Sequence, residues 1–306
     1  MEHILITTRN DFNRFYLYAK LPDVIADRVR PTQMTTLPTF PVQVTLIFGL
    51  FAVLLYLIGF IFQCISFIQD KNTRPVVFAF GSMAVVAHAF SADGVIRTST
   101  GFHFGISEIS TLIAVCISLL VLVSSVRKPL DNLLLGLFPL SILTIIASLT
   151  IASDYPPTDL NPGSASHVLL SIMAYSFITI AALQAGFLAY QNHQLKHGHA
   201  GGFISKFPPL QDMEVLLFEL LWVGQILLSL GIITGLFFID NIWGIDGMIH
   251  KTFFSVLSWI AFAILLWGRY KLGWRGVTAI RGTLTGFTLL IVGFYGSKLA
   301  LEYIIS

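Results

Sequence analysis

Eight uninterrupted apolar runs dominate the chain, near 44–66, 76–92, 106–126, 132–152, 166–190, 215–239, 250–268 and 278–301. A helix needs about 20 mostly apolar residues to cross the hydrocarbon core of a bilayer. These runs approach or exceed that length, the second being the shortest. The remaining composition leaves no means of covering them with polar surface. Of 306 residues, 55% are hydrophobic and only 11% charged, with a mean hydropathy of +0.80, whereas a water-soluble domain carries about 25% charged residues. Soluble, disordered and collagen-like chains are excluded on these figures, and nucleic acid is not an expected partner. A β-barrel is disfavoured because the runs are continuous rather than alternating and about twice a barrel strand's length. The expected fold is all-α: a polytopic membrane bundle of about eight transmembrane helices, with the lipid bilayer as its solvent. The expected division is an N-terminal tail over 1–43 and a membrane domain over 44–303.

Each gap between runs carries turn or charge signals, among them Arg127-Lys128-Pro129, Pro156-Pro157, Pro208-Pro209 and Lys271-Leu272-Gly273. The gaps after runs one, three, five and seven hold Lys71 and Arg74, Arg127 and Lys128, Lys196 and Lys206, and Arg269, Lys271 and Arg275. Those after runs two, four and six hold only Arg97. Because Lys and Arg accumulate in cytoplasmic loops, the odd-numbered gaps are expected in the cytoplasm and both termini outside. Residues 1–33 conflict with that orientation, since Arg9, Arg14, Lys20, Arg28 and Arg30 would have to cross the membrane. This conflict makes Met34 the expected native start, a reading that N-terminal sequencing of the mature protein checks. The first 33 residues also lack the apolar core and small-residue cleavage site of a secretory signal.

Ionisable side chains at membrane depth are costly and concentrate at functional sites. The two cysteines, Cys64 and Cys116, lie singly in apolar runs and form no metal pair, and no Cys-x-x-Cys-His motif for covalent haem is present. Histidine is the informative residue. The expected topology places His88 at the end of run two, His103 before run three, His167 at the start of run five and His250 at the start of run seven, all at the outer face. A neutral imidazole is a good ligand for a transition metal or haem iron, so three helix-end histidines could converge on one pocket. Alternatively, each is an amphipathic anchor at the membrane interface. His193, His197 and His199 fall in the cytoplasmic gap after run five and read as a solvated loop, with a metal pair as the other possibility.

Other polar groups are sparse. Glu108 could orient a histidine through its second ring nitrogen, or serve as a helix N-terminal acid favoured by the dipole. Trp243, Trp267 and Trp274 sit near interfaces, as aromatic belts do, while Trp259 is mid-span and is expected at a helix contact or a ligand. No carboxylate pair, nucleophile–base arrangement or phosphate loop accompanies the histidines, so the protein is not expected to be an enzyme.

In the C-terminal half, Leu230-Gly231-Ile232-Ile233-Thr234-Gly235, Trp243-Gly244, Lys251-Thr252, Trp259, Gly273-Trp274-Arg275-Gly276 and Gly286-Phe287 resemble the cytochrome c assembly family, as do His167-Val168-Leu169-Leu170-Ser171 and Ala174-Tyr175. That family includes CcsA-, CcmC- and HemX-like proteins, and the YpjD-like branch of inner-membrane proteins is the most similar. The resemblance covers about 44–303. Full haem-handling members carry a tryptophan-rich outer segment. Here it is reduced to Ile242-Trp243-Gly244-Ile245-Asp246-Gly247, and the inner end of the next helix reads Leu266-Trp267-Gly268-Arg269 without the family's histidine.

The resemblance implies a bacterial inner-membrane protein that handles haem b, held non-covalently near the outer face, in cytochrome c assembly or a related haem process. It implies His88, His167 and His250 as candidate iron ligands, Trp243 and Trp259 packed near the macrocycle, and other membrane assembly factors as partners. The competing expectation is a haem-free regulatory or transport-accessory protein with a cation or proton site.

Overall fold

The computed structural model describes residues 41–69, 71–99, 101–126, 128, 130–151, 157–198, 206–238, 248–296 and 299, with the backbone alone at 248–250. The N-terminal tail up to residue 40, the expected start at Met34, Trp243 and the side chain of His250 lie outside the described residues.

Eight helices form where the apolar runs predict them: α1 Val42–Gln69, α2 Arg74–Ile96, α3 Ile106–Ser125, α4 Asp131–Thr150, α5 Pro162–Lys196, α6 Leu210–Phe238, α7 Met248–Leu272 and α8 Val277–Ile291. All are long and apolar enough to cross a membrane, α8 when counted with the single π-helical turn Val292–Gly296 that continues it. Some helices outrun their apolar stretches because local chemistry extends them. α2 starts two residues before its run, at Arg74-Pro75 after Thr73, and continues a turn beyond it, closing with an Asp93–Arg97 ion pair at 2.5 Å. α5 starts at Pro162, whose missing N–H is not needed in a first turn. Asn161 caps it by accepting from the Ser164 amide at 2.7 Å. At 35 residues, α5 is about 52 Å long. It therefore extends well past a hydrocarbon core of about 30 Å.

Helices α1 to α4 pack around one core, with Tyr56, Leu133, Leu137, Phe138 and Ile145 essentially inaccessible. Helices α5 to α8 pack around a second, centred on Ala174, Ile178, Leu217, Phe262 and Leu265. α5 bridges the two through contacts with α3 and α4. Polarity is distributed as bilayer packing demands. His88, Ser118, Ser141, Gln184 and Ser258 are buried, while Phe237 at 80%, Val42 at 84% and Leu169 at 62% exposure face outward. In hydrocarbon an outward Phe is at home and an outward hydroxyl is not.

The two ends of the bundle are tied differently. At the end bearing most Lys and Arg, Glu214 of α6 accepts from Arg269 Nη1 at 2.7 Å, Arg275 Nε at 3.0 Å and the Gly276 amide at 2.9 Å, fixing the α7–α8 turn. There too, Lys128 of the α3–α4 connection pairs with Glu219 of α6, joining the two helix groups. At the opposite end a two-residue hairpin, β1 Arg97–Thr98 with β2 Gly101–Phe102, joins α2 to α3. Phe102 and Thr158 exchange both backbone hydrogen bonds, at 3.0 and 2.8 Å, and so bind this hairpin to the α4–α5 connection. Gly101 has φ of 141°, and a Cβ there would stand 3.0 Å from the Thr158 carbonyl oxygen. Thr158 of this seam borders the site described next.

Candidate functional site

A cavity of about 460 Å³ opens at the hairpin end, between α3, α5, α6, α7 and the π turn. That volume lies within the range of small-molecule and cofactor sites. α5 contributes one face at helical spacing, Ser164, His167, Val168, Ser171, Ile172 and Tyr175. α6 opposes it with a face centred on Gly231, Ile232 and Gly235. Phe104, Asp159 and Leu160, flanking the Phe102–Thr158 seam, line the mouth, and Lys251, Thr252 and Ser255 enter from the start of α7.

His167, in the second turn of α5, is the imidazole that α5 presents to this space. Its Nδ1 lies 2.9 Å from the carbonyl oxygen of Gly231. A carbonyl can only accept, so the bond puts the proton on Nδ1 and leaves Nε2 with its lone pair. Nε2 makes no hydrogen bond among the described residues. The geometry depends on two glycines four residues apart on α6. A Cβ on Gly235 would stand 2.9 Å from His167 Cε1, so a side chain there would displace the ring. Small residues at this spacing let a facing helix approach closely. The result is an imidazole whose tautomer and orientation are both fixed by an outer hydrogen bond, the arrangement that prepares histidine to ligate a metal.

The floor is held by tyrosines. Tyr175 donates to the Leu290 carbonyl at 3.0 Å, just before the π turn, and Tyr295 within that turn lies 3.0 Å from Ser110 of α3. Phe294 of the same turn lines the cavity. A π turn widens a helix locally and recurs at functional sites. Here it brings an aromatic side chain into the cavity wall.

The other sequence-predicted residues are placed differently. His88 sits within α2, two turns before its end, and is fully buried. Its Nε2 is 2.8 Å from Thr111 Oγ1 and its Nδ1 3.4 Å from the Tyr56 hydroxyl, so both ring nitrogens are engaged inside the first helix group, away from the cavity lining. His103 Nδ1 lies 3.6 Å from Glu108 Oε1, and Ser107 donates to the other carboxylate oxygen at 3.0 Å. Glu108 does therefore face a histidine, but one outside the cavity. Trp259 donates its indole N–H to Ser229 Oγ at 2.7 Å, and its carbonyl accepts from Gln225, so it fastens α7 to α6 and does not line the cavity. His250 immediately precedes the cavity-lining Lys251. Among the described residues no three His, Cys, Asp or Glu side chains gather as a metal cluster. Lys251 and the Gly231 carbonyl were not singled out from sequence as site groups. The signal for Lys251 was its position, a cation inside the first turn of an apolar run at an end otherwise poor in Lys and Arg.

Most of the chain is matched by a family model and by an inner membrane protein. A family model described as Cytochrome C assembly protein matches residues 42–305. The inner membrane protein YpjD of Escherichia coli K12 is 26% identical over 262 residues, spanning 84% of this chain and 99% of its own. An uncharacterized 28.8 kDa protein of Azospirillum brasilense is 26% identical over 244 residues, spanning 78% of this chain and 89% of its own. The cytochrome c biogenesis protein CcsA of Prochlorococcus marinus MIT 9515 is 23% identical over 185 residues, which are 52% of this chain and 59% of that one. No solved structure matches. With the match running from the start of α1 past the end of the π turn, the chain belongs to the Cytochrome C assembly protein family.

Proposed function

We propose that this protein is a haem-handling factor of the inner membrane, acting in cytochrome c assembly by holding haem b non-covalently in the cavity at the hairpin end. Membership of the family and the printed functions of relatives such as CcsA support the role. The name of YpjD supports the inner membrane. The observation that carries the reading is His167, with Nδ1–H tied to Gly231 and Nε2 left with a lone pair at an apolar cavity. The Lys and Arg distribution supports placing this end outside the cell membrane.

The residues present fit the group. Ile113, Val168, Ile172 and Phe294 supply an apolar enclosure, Tyr175 a fixed floor and His167 a neutral nitrogen donor. Haem, if bound there, would supply an iron that accepts neutral imidazole donors. In this reading His167 would hold the iron through Nε2, with His250, which precedes the cavity-lining Lys251 in the sequence, as the second holding residue. The Gly231 carbonyl increases the basicity of His167 and holds its plane. Trp243, near the start of α7, is retained as a packing residue. His88 and Trp259 act through the scaffold, since both make internal hydrogen bonds. No nucleophile or acid–base pair is required, and the role is binding and transfer rather than catalysis.

Titrating purified protein in detergent with haemin tests the reading. Wild type is expected to give a sharp Soret band of six-coordinate, low-spin iron, and His167→Ala and His250→Ala are each expected to lose it. An unchanged Soret band in both variants would overturn the ligand assignment.

A further inference from the structure

Lys251 lines the same cavity as His167, and it is half-buried there. It makes no ion pair or hydrogen bond among the described residues. Asp159, the one carboxylate among the lining residues, does not pair with it. The cavity lining that it shares, Ile232, Leu236 and Phe238 of α6 included, is largely apolar. An ammonium withdrawn from water without a counter-charge costs free energy, and natural sites seldom leave it so.

The position adds to this cost. α7 begins at Met248, so Lys251 lies in the first turn, which carries no acidic residue. The unpaired amides there present the positive end of the helix dipole, where a cation is disfavoured and an anion favoured. A lysine serving only to anchor a helix end would reach outward to the lipid headgroups, whereas Lys251 turns toward the cavity. Thr252 and Ser255, its neighbours in the lining, add hydroxyls to the same wall.

We propose that Lys251 is the carboxylate anchor of this cavity, binding an acidic side chain of the porphyrin while His167 engages the iron. The cavity then selects an apolar, planar ligand that carries a carboxylate at its edge, and the Lys251–His167 pair sets which edge of the ring enters at α7. The inference rests on the haem reading of the same cavity and adds the group that orients the ligand.

Haemin and its dimethyl ester differ in the charge of the two propionates, which makes the pair a direct probe. Binding of each is measured by Soret titration to the full-length detergent-purified wild type, Lys251→Ala and Lys251→Arg, with thermal melting as the folding control. Loss of a charge-assisted contact corresponds to roughly tenfold or more in affinity. The expected result is that Lys251→Ala weakens haemin by that factor and leaves the ester unchanged. Lys251→Arg is expected to keep most of the haemin affinity, and the ester should bind wild type about as weakly as haemin binds Lys251→Ala. Equal binding of acid and ester by wild type, with no effect of Lys251→Ala, would overturn the anchor while leaving the haem reading standing. Failure of wild type to bind either porphyrin would overturn both.

Discussion

At the scale of the residue, the account turns on one imidazole and the glycine groove that holds it. Gly235→Ala places a methyl carbon 2.9 Å from His167 Cε1, so the ring must move and the Gly231 bond lengthens. Haemin affinity is expected to fall roughly tenfold with little change in melting temperature, and an unchanged Soret titration would contradict the role given to the groove. His88 should behave in the opposite way. His88→Ala strips partners from the buried Tyr56 hydroxyl and Thr111 and opens a void, costing about 2–4 kcal/mol of stability, while haemin still binds. Loss of binding from a variant that remains folded would return His88 to the ligand set. The sequence nominated His167 as a candidate, because a histidine in the first turns of an apolar run is conspicuous. It kept His88 as the alternate partner to His167 and His250, since all are helix-borne histidines expected at one end. What divides His167 from His88 is what faces each: two glycines of α6 for His167, a tyrosine of α1 and a threonine of α3 for His88.

At the scale of the element, boundaries are set by a few polar groups that hydropathy does not weigh. The Asn161 cap and Pro162 start α5 a full turn before its apolar run, which is why His167 lies in the second turn and opposite Gly231. The eight spans themselves were legible, because 20-residue apolar runs admit few other structures. The hairpin–loop seam was not, since its four strand residues have no periodicity to read. It depends on Gly101, whose φ of 141° a β-carbon resists. Gly101→Ala is expected to cost about 1–3 kcal/mol and to loosen the cavity mouth, measured as faster amide exchange at Phe102 and Thr158. Exchange unchanged at both would contradict the seam. At the other end, Glu214→Gln keeps the shape and removes the charge shared by Arg269 and Arg275. Destabilisation of about 2 kcal/mol is expected, moderated because Arg275 is 62% exposed, and haemin binding should persist.

At the scale of the whole molecule, two four-helix cores meet along α5, and the cavity opens where α3 of the first group borders α5, α6 and α7 of the second. Whether this end lies outside the cell membrane is set by the charge of the loops rather than by packing. Ser99 and Lys196 are both exposed and lie at opposite ends. In intact cells a membrane-impermeant thiol reagent should label Ser99→Cys and not Lys196→Cys; the reverse pattern would invert the topology. Haem handling is the central claim, and the most direct test is a pyridine haemochrome assay with oxidised and reduced spectra on the protein purified from its own membranes. The account predicts b-type haem bound to wild type and depleted in His167→Ala at equal expression. Wild-type protein that is colourless, and stays colourless when haemin is added, would contradict it.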